Sequence, residues 1–380
     1  NNGGRVFVTR DNSTRSTSGY MINAGGLLEI SNGVTVHLDG LTMRGGKISS
    51  ASSLTGSGAT FGSYNLDTGL TAGGVAETSE ISALGGTLNQ SGGTVFNVLS
   101  GATNGVDLLI SGSVITVNPS TGIASTGLTK RGDGVLMLSG TNNFTDGIRI
   151  ENGVVRAGST TAFGLNNAVT VSNRAATTLD LNNFNVTIGT LSGGGSAGGN
   201  VTLGSGNLTL GADNGSGSFG GVISGTGAVT KTGTGTQTLT GQNTFTGRFT
   251  QNQGVMVLAN TNGPALFNGQ GGDIVIGNIG GSSTYSILRM GAANQLGTNV
   301  NVTFGANATT TSYGTLDLMG RSLSIGNLNI SGNTALAHIQ NSQSVSSTGN
   351  STLTIHQTTN GSFTGLIRDY AGGGTGTLGI

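Results

Sequence analysis

The stretch Gly227–Asn260, GAVTKTGTGTQTLTGQNTFTGRFTQNQGVMVLAN, decides the fold, because the same grammar has already run through Gly127–Gly158. Written one above the other without gaps, the two stretches place Lys130 on Lys231, Gly132 on Gly233, Gly134 on Gly235 and Leu138 on Leu239. Gly140 falls on Gly241, Asn142 on Asn243, Phe144 on Phe245, Thr145 on Thr246 and Gly153 on Gly254, all at an offset of 101 residues. Self-similarity of this kind precedes any local assignment, because a repeat cannot bury its apolar face alone and must stack on a neighbour.

Working outward, further segments recur. TLDLNNFNVTIGTL from Thr178 returns as TLDLMGRSLSIGNL from Thr315, and VVRAGSTTAFG from Val154 returns as ILRMGAANQLG from Ile287, which puts Arg156 on Arg289. A later pair, Phe219 to Ile223 and Phe363 to Ile367, has an offset of 144. The growth from 101 to 133 means that the second unit holds 32 extra residues between about Gly254 and Ile287. A solenoid absorbs such an insertion as added coil, whereas a closed sandwich core does not.

Before these repeats, residues 1–126 alternate short apolar runs (Val6–Val8, Val34–Leu38, Thr94–Leu99, Val106–Ile110) with Gly, Asn and Ser turns and show no helical period. Short strands at spacings near ten predict an all-β chain. The expected organisation is an N-terminal solenoid section of divergent coils (1–126), a first repeat unit (127–226), a second with an extra coil insertion near 254–287 (227–362), and the start of a third, truncated unit (363–380). Coils of about 22 residues predict roughly 17 of them, with an interior that includes Leu138, Phe144, Leu179, Leu181, Leu239, Phe245, Leu316 and Leu318. A chain that stops inside a repeat is expected to be part of a longer chain, or of something that stacks end to end.

Composition narrows the function classes. Glycine supplies 73 of 380 residues and proline only 2, with no Gly-X-Y period, so collagen and polyproline readings fail. Lys+Arg and Asp+Glu balance at 15 each and only 8% of residues are charged, which removes the high net charge of disordered chains and any electrostatic footprint for nucleic acid. Cysteine is absent, so disulfide scaffolds and thiolate metal sites are excluded. No run approaches 18 apolar residues, so no transmembrane helix is expected.

On these residues the two stretches resemble the autotransporter-associated β-strand repeat, also called the passenger-associated transport repeat, whose pattern is similar to G-x-L-T-K-x-G-x-G-x-L-x-L-S-G-x-N-x-Y/F-T-G-G followed by N-x-G-x-L. Gly127–Val154 departs from it at Asp146. The second copy departs at Arg248, where a glycine is usual, and at Gln237, where an apolar residue is usual. The resemblance implies a single-stranded right-handed parallel β-helix, elongated, exported by a type V route, in proteins that are commonly surface adhesins or stalks. It implies localisation outside the cell or on the bacterial outer-membrane surface, held to the membrane only through a barrel outside this segment.

Candidate sites are weighed on their chemistry. Arg131-Gly132-Asp133 reads as an integrin-type tripeptide, but its counterpart is Thr232-Gly233-Thr234, which predicts an ordinary turn. His37, His338 and His356 have no companion at metal-ligand spacing, and Asn268–Ile276 fails the glycine and aspartate spacing of a calcium-binding repeat. The densest acidic region, Asp67 with Glu77 and Glu80, lacks a basic cluster to bind or activate substrate, so glycoside chemistry is not expected. Sequons such as Asn143-Phe-Thr145 and Asn207-Leu-Thr209 follow from Asn and Thr abundance, and asparagine ladders in coil turns are their expected use. No catalytic, metal or cofactor-binding residue is assigned and no cofactor is expected. The reading is a non-enzymatic passenger segment, with a self-assembling fibre and a carbohydrate-binding or carbohydrate-processing β-helix as alternatives. Partners are a cell-surface receptor or glycan, or another copy of the chain, and not nucleic acid.

Overall fold

In a computed structural model, residues 3–10, 19–50, 62–88, 94–115, 127–266, 273–277, 285–305, 314–331, 337–342, 349–369 and 378–380 are described. Among them every regular element is a β-strand, and every strand-to-strand ladder is parallel. No helix among the described residues is long and apolar enough to cross a membrane. The chain divides into two units, Asn1–Thr187 with Gly198–Asn200, and Ile188–Ala197 with Val201–Ile380.

In the first unit one parallel sheet runs through Arg5–Val8, Leu27–Ile30, Lys47–Ser50, Ser79–Ile81, Leu108–Ile110, Val135–Leu138, Val154–Ala157 and Thr178–Asp180. A second takes the strands between them, from Met21–Asn23 to Val169–Val171, and a short third holds Thr35–Leu38, Ser63–Leu66 and Gly86–Leu88. Successive strands along the chain enter different sheets while each sheet repeats once per coil, which is a parallel β-helix. Register fixes the core as columns. Leu28, Ile48, Ile81, Ile110, Leu138 and Ala157 stand on consecutive rungs, and all are buried. Each buried Leu or Ile contributes about 1.5–3 kcal/mol, which offsets the entropy lost in so many glycines.

The second unit has the same construction, with a core column Leu208, Val229, Phe249, Ile274, Val302 and Leu328. All eight residues expected inside are buried. Coil length is not uniform. Met137 pairs with Arg156, 19 residues on, and Lys47 pairs with Glu80, 33 residues on. Val255 pairs directly with Ile287, so one coil of 32 residues separates these consecutive rungs. Part of that coil, with part of the calcium-like stretch and most of the final GTGTLGI, lies outside the described residues.

Candidate functional site

Two polar positions that the repeats share, the lysine and the asparagine, are buried in both copies. Strand Leu128–Arg131 alternates so that Leu128 and Lys130 both face inward, and Lys130 has no solvent exposure. Its ammonium donates to the carbonyls of Arg131 at 2.8 Å and Gly132 at 2.7 Å, in its own turn, and of Asn152 at 3.1 Å in the next coil. Three N–H bonds meet three oxygens, which is the full donor capacity of a lysine. Lys231 repeats the arrangement with Thr232 at 2.6 Å, Gly233 at 2.9 Å and Gln253 at 3.3 Å.

Burial pushes both lysines down to about 8. The charges of Asp107 and Asp133 pull Lys130 partly back, and that of Asp213 does so for Lys231. The shared glycines complete the cradle. Gly132 and Gly153 have φ of 72° and 70°, and a Cβ on Gly153 would stand 2.7 Å from the Lys130 Nζ and 2.5 Å from the Gly134 carbonyl. Gly254 holds the matching place in the second copy with φ of 71°.

The asparagines of the motif join coils in both directions. Asn142 accepts from the Val114 N–H at 2.8 Å and donates to the Ala162 carbonyl at 2.8 Å, one coil before and one after. Asn243 does the same with Ile223 and Ala265, both at 2.9 Å. Arginine and aspartate repeat as well: Arg156 pairs with Asp180 at 2.8 Å, and Arg289 with Asp317 at 3.0 Å. Gln237, where the family pattern is apolar, is buried. Its amide accepts from the Leu191 N–H at 3.2 Å and donates to the Leu191 carbonyl at 2.8 Å, 46 residues away. It reaches past Gly217, its own register partner.

The remaining candidates fall into separate places. Arg131 pairs with Glu151 at 2.7 Å, and Asp133 accepts from the N–H and hydroxyl of Ser100, bonds that hold its carboxyl below the usual range. The tripeptide is thus the turn that supplies two of the three carbonyls to Lys130. The histidines are not bare. His37 contacts Asp67 at 2.7 Å, thirty residues on and one coil away, and His356 meets the Ser324 hydroxyl at 3.0 Å. Sequence spacing missed these partners because stacking joins residues a coil apart. Glu80 pairs with Lys47 on a sheet different from the one that precedes Asp67, so the acidic stretch does not converge on one site. Among the described residues no group of three or more His, Cys, Asp or Glu could hold a metal ion. Of the expected asparagine ladders, an Asn–Asn contact is formed by Asn327, which donates to Asn301 at 2.9 Å, whereas Asn207 accepts from the Ala228 backbone N–H at 2.9 Å and Asn143 is exposed.

Residues 128–157 and 229–262 match the passenger-associated-transport-repeat family. This chain carries two passenger-associated transport repeats. Each matched segment opens on the strand of a buried lysine and contains its asparagine, so the repeat is the structural unit described above. A curated relative, the adhesin BmaC autotransporter of Brucella suis biovar 1 (strain 1330), is 37% identical over 124 residues, covering 31% of this chain and 4% of that protein. The chain therefore spans a small part of the relative's length. No solved structure matches the chain.

Proposed function

We propose that this chain is a non-enzymatic segment of an autotransporter-like passenger, carried on the bacterial cell surface as a stalk or adhesin, with repeats that support export and stepwise folding. The observation that carries the reading is that both matched repeats use their lysine and asparagine to close contacts between successive coils. A side chain buried between coils is unavailable to substrate, and it joins each coil to its neighbours as they dock. The adhesin relative supports the surface role, and a receptor or glycan is the expected partner.

The test places the 380-residue chain ahead of an outer-membrane β-barrel in a Gram-negative cell. The expected result is a protease-accessible passenger, reduced by the Lys130→Met, Lys231→Met double variant at unchanged barrel level. A passenger retained inside the cell would refute the surface role, and equal surface amounts for the double variant would refute the export role. Adherence of displaying cells to a host-cell layer, against barrel-only cells, separates adhesin from stalk. A second reading, end-on assembly with another copy, rests on the low charge of the chain, with 8% charged residues and a net charge of zero. Indefinite filaments in electron micrographs would favour it over discrete particles.

A further inference from the structure

The lysine cradle is a cation site in chemical terms, whatever tethers the cation. Around Lys130 the carbonyls of Arg131, Gly132 and Asn152 lie 2.7–3.1 Å from the charge. The Gly134 carbonyl stands near the same place but accepts from the Val154 N–H at 3.2 Å, so the cradle is the three carbonyls that receive the ammonium. Convergent backbone carbonyls are the ligands that replace the hydration shell of potassium in selective filters, and they suit an ammonium equally by hydrogen bonding. The shape is not imposed by one sequence. Arg131 and Asp133 become Thr232 and Thr234 in the second repeat, yet the carbonyls converge in the same way on Lys231. Two independent turns thus build the same ring of oxygens, with left-handed glycines at matching places.

We propose that the carbonyl cradle of each repeat is a binding site for one compact monovalent cation, a primary ammonium or an alkali-metal ion, which the lysine fills from within its own strand. The lysine is then a tethered ligand, and the turn keeps its affinity when the tether is cut. Lys130 is the copy to test, because in the second repeat the amide of Gln251 already donates to the Gln253 carbonyl at 3.0 Å and would compete for the vacated oxygen.

Lys130→Ala in the full chain removes three methylenes and an ammonium, the size of n-propylammonium. Thermal unfolding is followed by circular dichroism at matched ionic strength in n-propylammonium chloride, potassium chloride or tetramethylammonium chloride, and in 1-propanol at the same concentration. The expected result is that n-propylammonium recovers more than half of the Tm lost by the variant and leaves the wild type unmoved. Recovery by potassium as well assigns the site to any compact cation, and recovery by n-propylammonium alone assigns it to hydrogen-bonding ammonium. Equal shifts in all three salts, or recovery by 1-propanol, would overturn the proposal, since the cradle would then respond to screening or to volume. Should the variant fail to fold, the wild type supplies the measurement. Only three lysines are present, and nitrogen-15 correlation spectra should show slowly exchanging ammonium protons for two of them, with the exposed Lys47 absent. A spectrum with no protected ammonium overturns it.

Discussion

Raising the pH should stabilise both units, and the size of the effect follows from the buried lysines. Each titrates near 10.5 when unfolded and about 8 when folded. Between those values the unfolded chain holds more protons than the folded one, so stability rises with pH across the window and is level with respect to these groups below pH 8. One pH unit corresponds to about 1.4 kcal/mol. From pH 8 to pH 9.5 the gain is therefore about 2 kcal/mol for the unit containing Lys130 and about 2 kcal/mol for that containing Lys231. The window stops at 9.5 because burial raises the Tyr64 hydroxyl, and that group acts with the opposite sign above its ordinary value of 10. Urea unfolding by circular dichroism at pH 7, 8, 9 and 9.5 measures the slope, with Lys130→Met and Lys231→Met as controls that should each flatten the dependence of their own unit. A wild-type midpoint that falls across this window would refute the reasoning, because the three carbonyls would then be stabilising the ammonium by more than burial penalises it.

Other variants test the joins between coils. Asn142→Ala leaves the Val114 N–H and the Ala162 carbonyl without their partner and should cost about 2–6 kcal/mol in chemical denaturation, at about 1–3 kcal/mol for each orphaned group. Gln237→Leu keeps the volume but strips Leu191 of both side-chain bonds, so hydrogen exchange at the Leu191 amide should accelerate by at least tenfold, with the far-UV spectrum unchanged. Gly132→Ala should cost about 2 kcal/mol or more, since φ is 72° and the new Cβ would stand 2.2 Å from the Val98 carbonyl. Arg131→Ala, by contrast, removes an exposed ion pair and should cost less than about 1 kcal/mol, with thermal unfolding as the measurement for both.

Much of the fold was legible because a parallel β-helix writes its coil into the sequence. The alternation that places Leu136 and Leu138 inward is visible in GVLML. Lys130 was visible as a match to Lys231 but not as a buried group, because lysine in a polar, glycine-rich stretch reads as surface. The missed signal lay in Leu128-Thr129-Lys130: a residue two places from an inward leucine on a strand shares its face. His37 with Asp67, and Gln237 with Leu191, were not legible, because coil lengths of 19 to 34 residues leave no fixed spacing at which to look for a partner.

Comparison of the repeats thus separates two kinds of polar residue. The copies differ at Arg131 against Thr232 and at Asp133 against Thr234, where Arg131, Asp133 and Thr234 are exposed, whereas Gln237, against Leu136 in the first copy, is buried and bonds to backbone. Where they agree, at the lysines and asparagines, the side chains are buried and bond to backbone rather than to other side chains. Backbone is the one partner that every coil offers regardless of sequence. A residue that binds only backbone can be reused from one copy to the next while exposed neighbours such as Arg131 and Asp133 change.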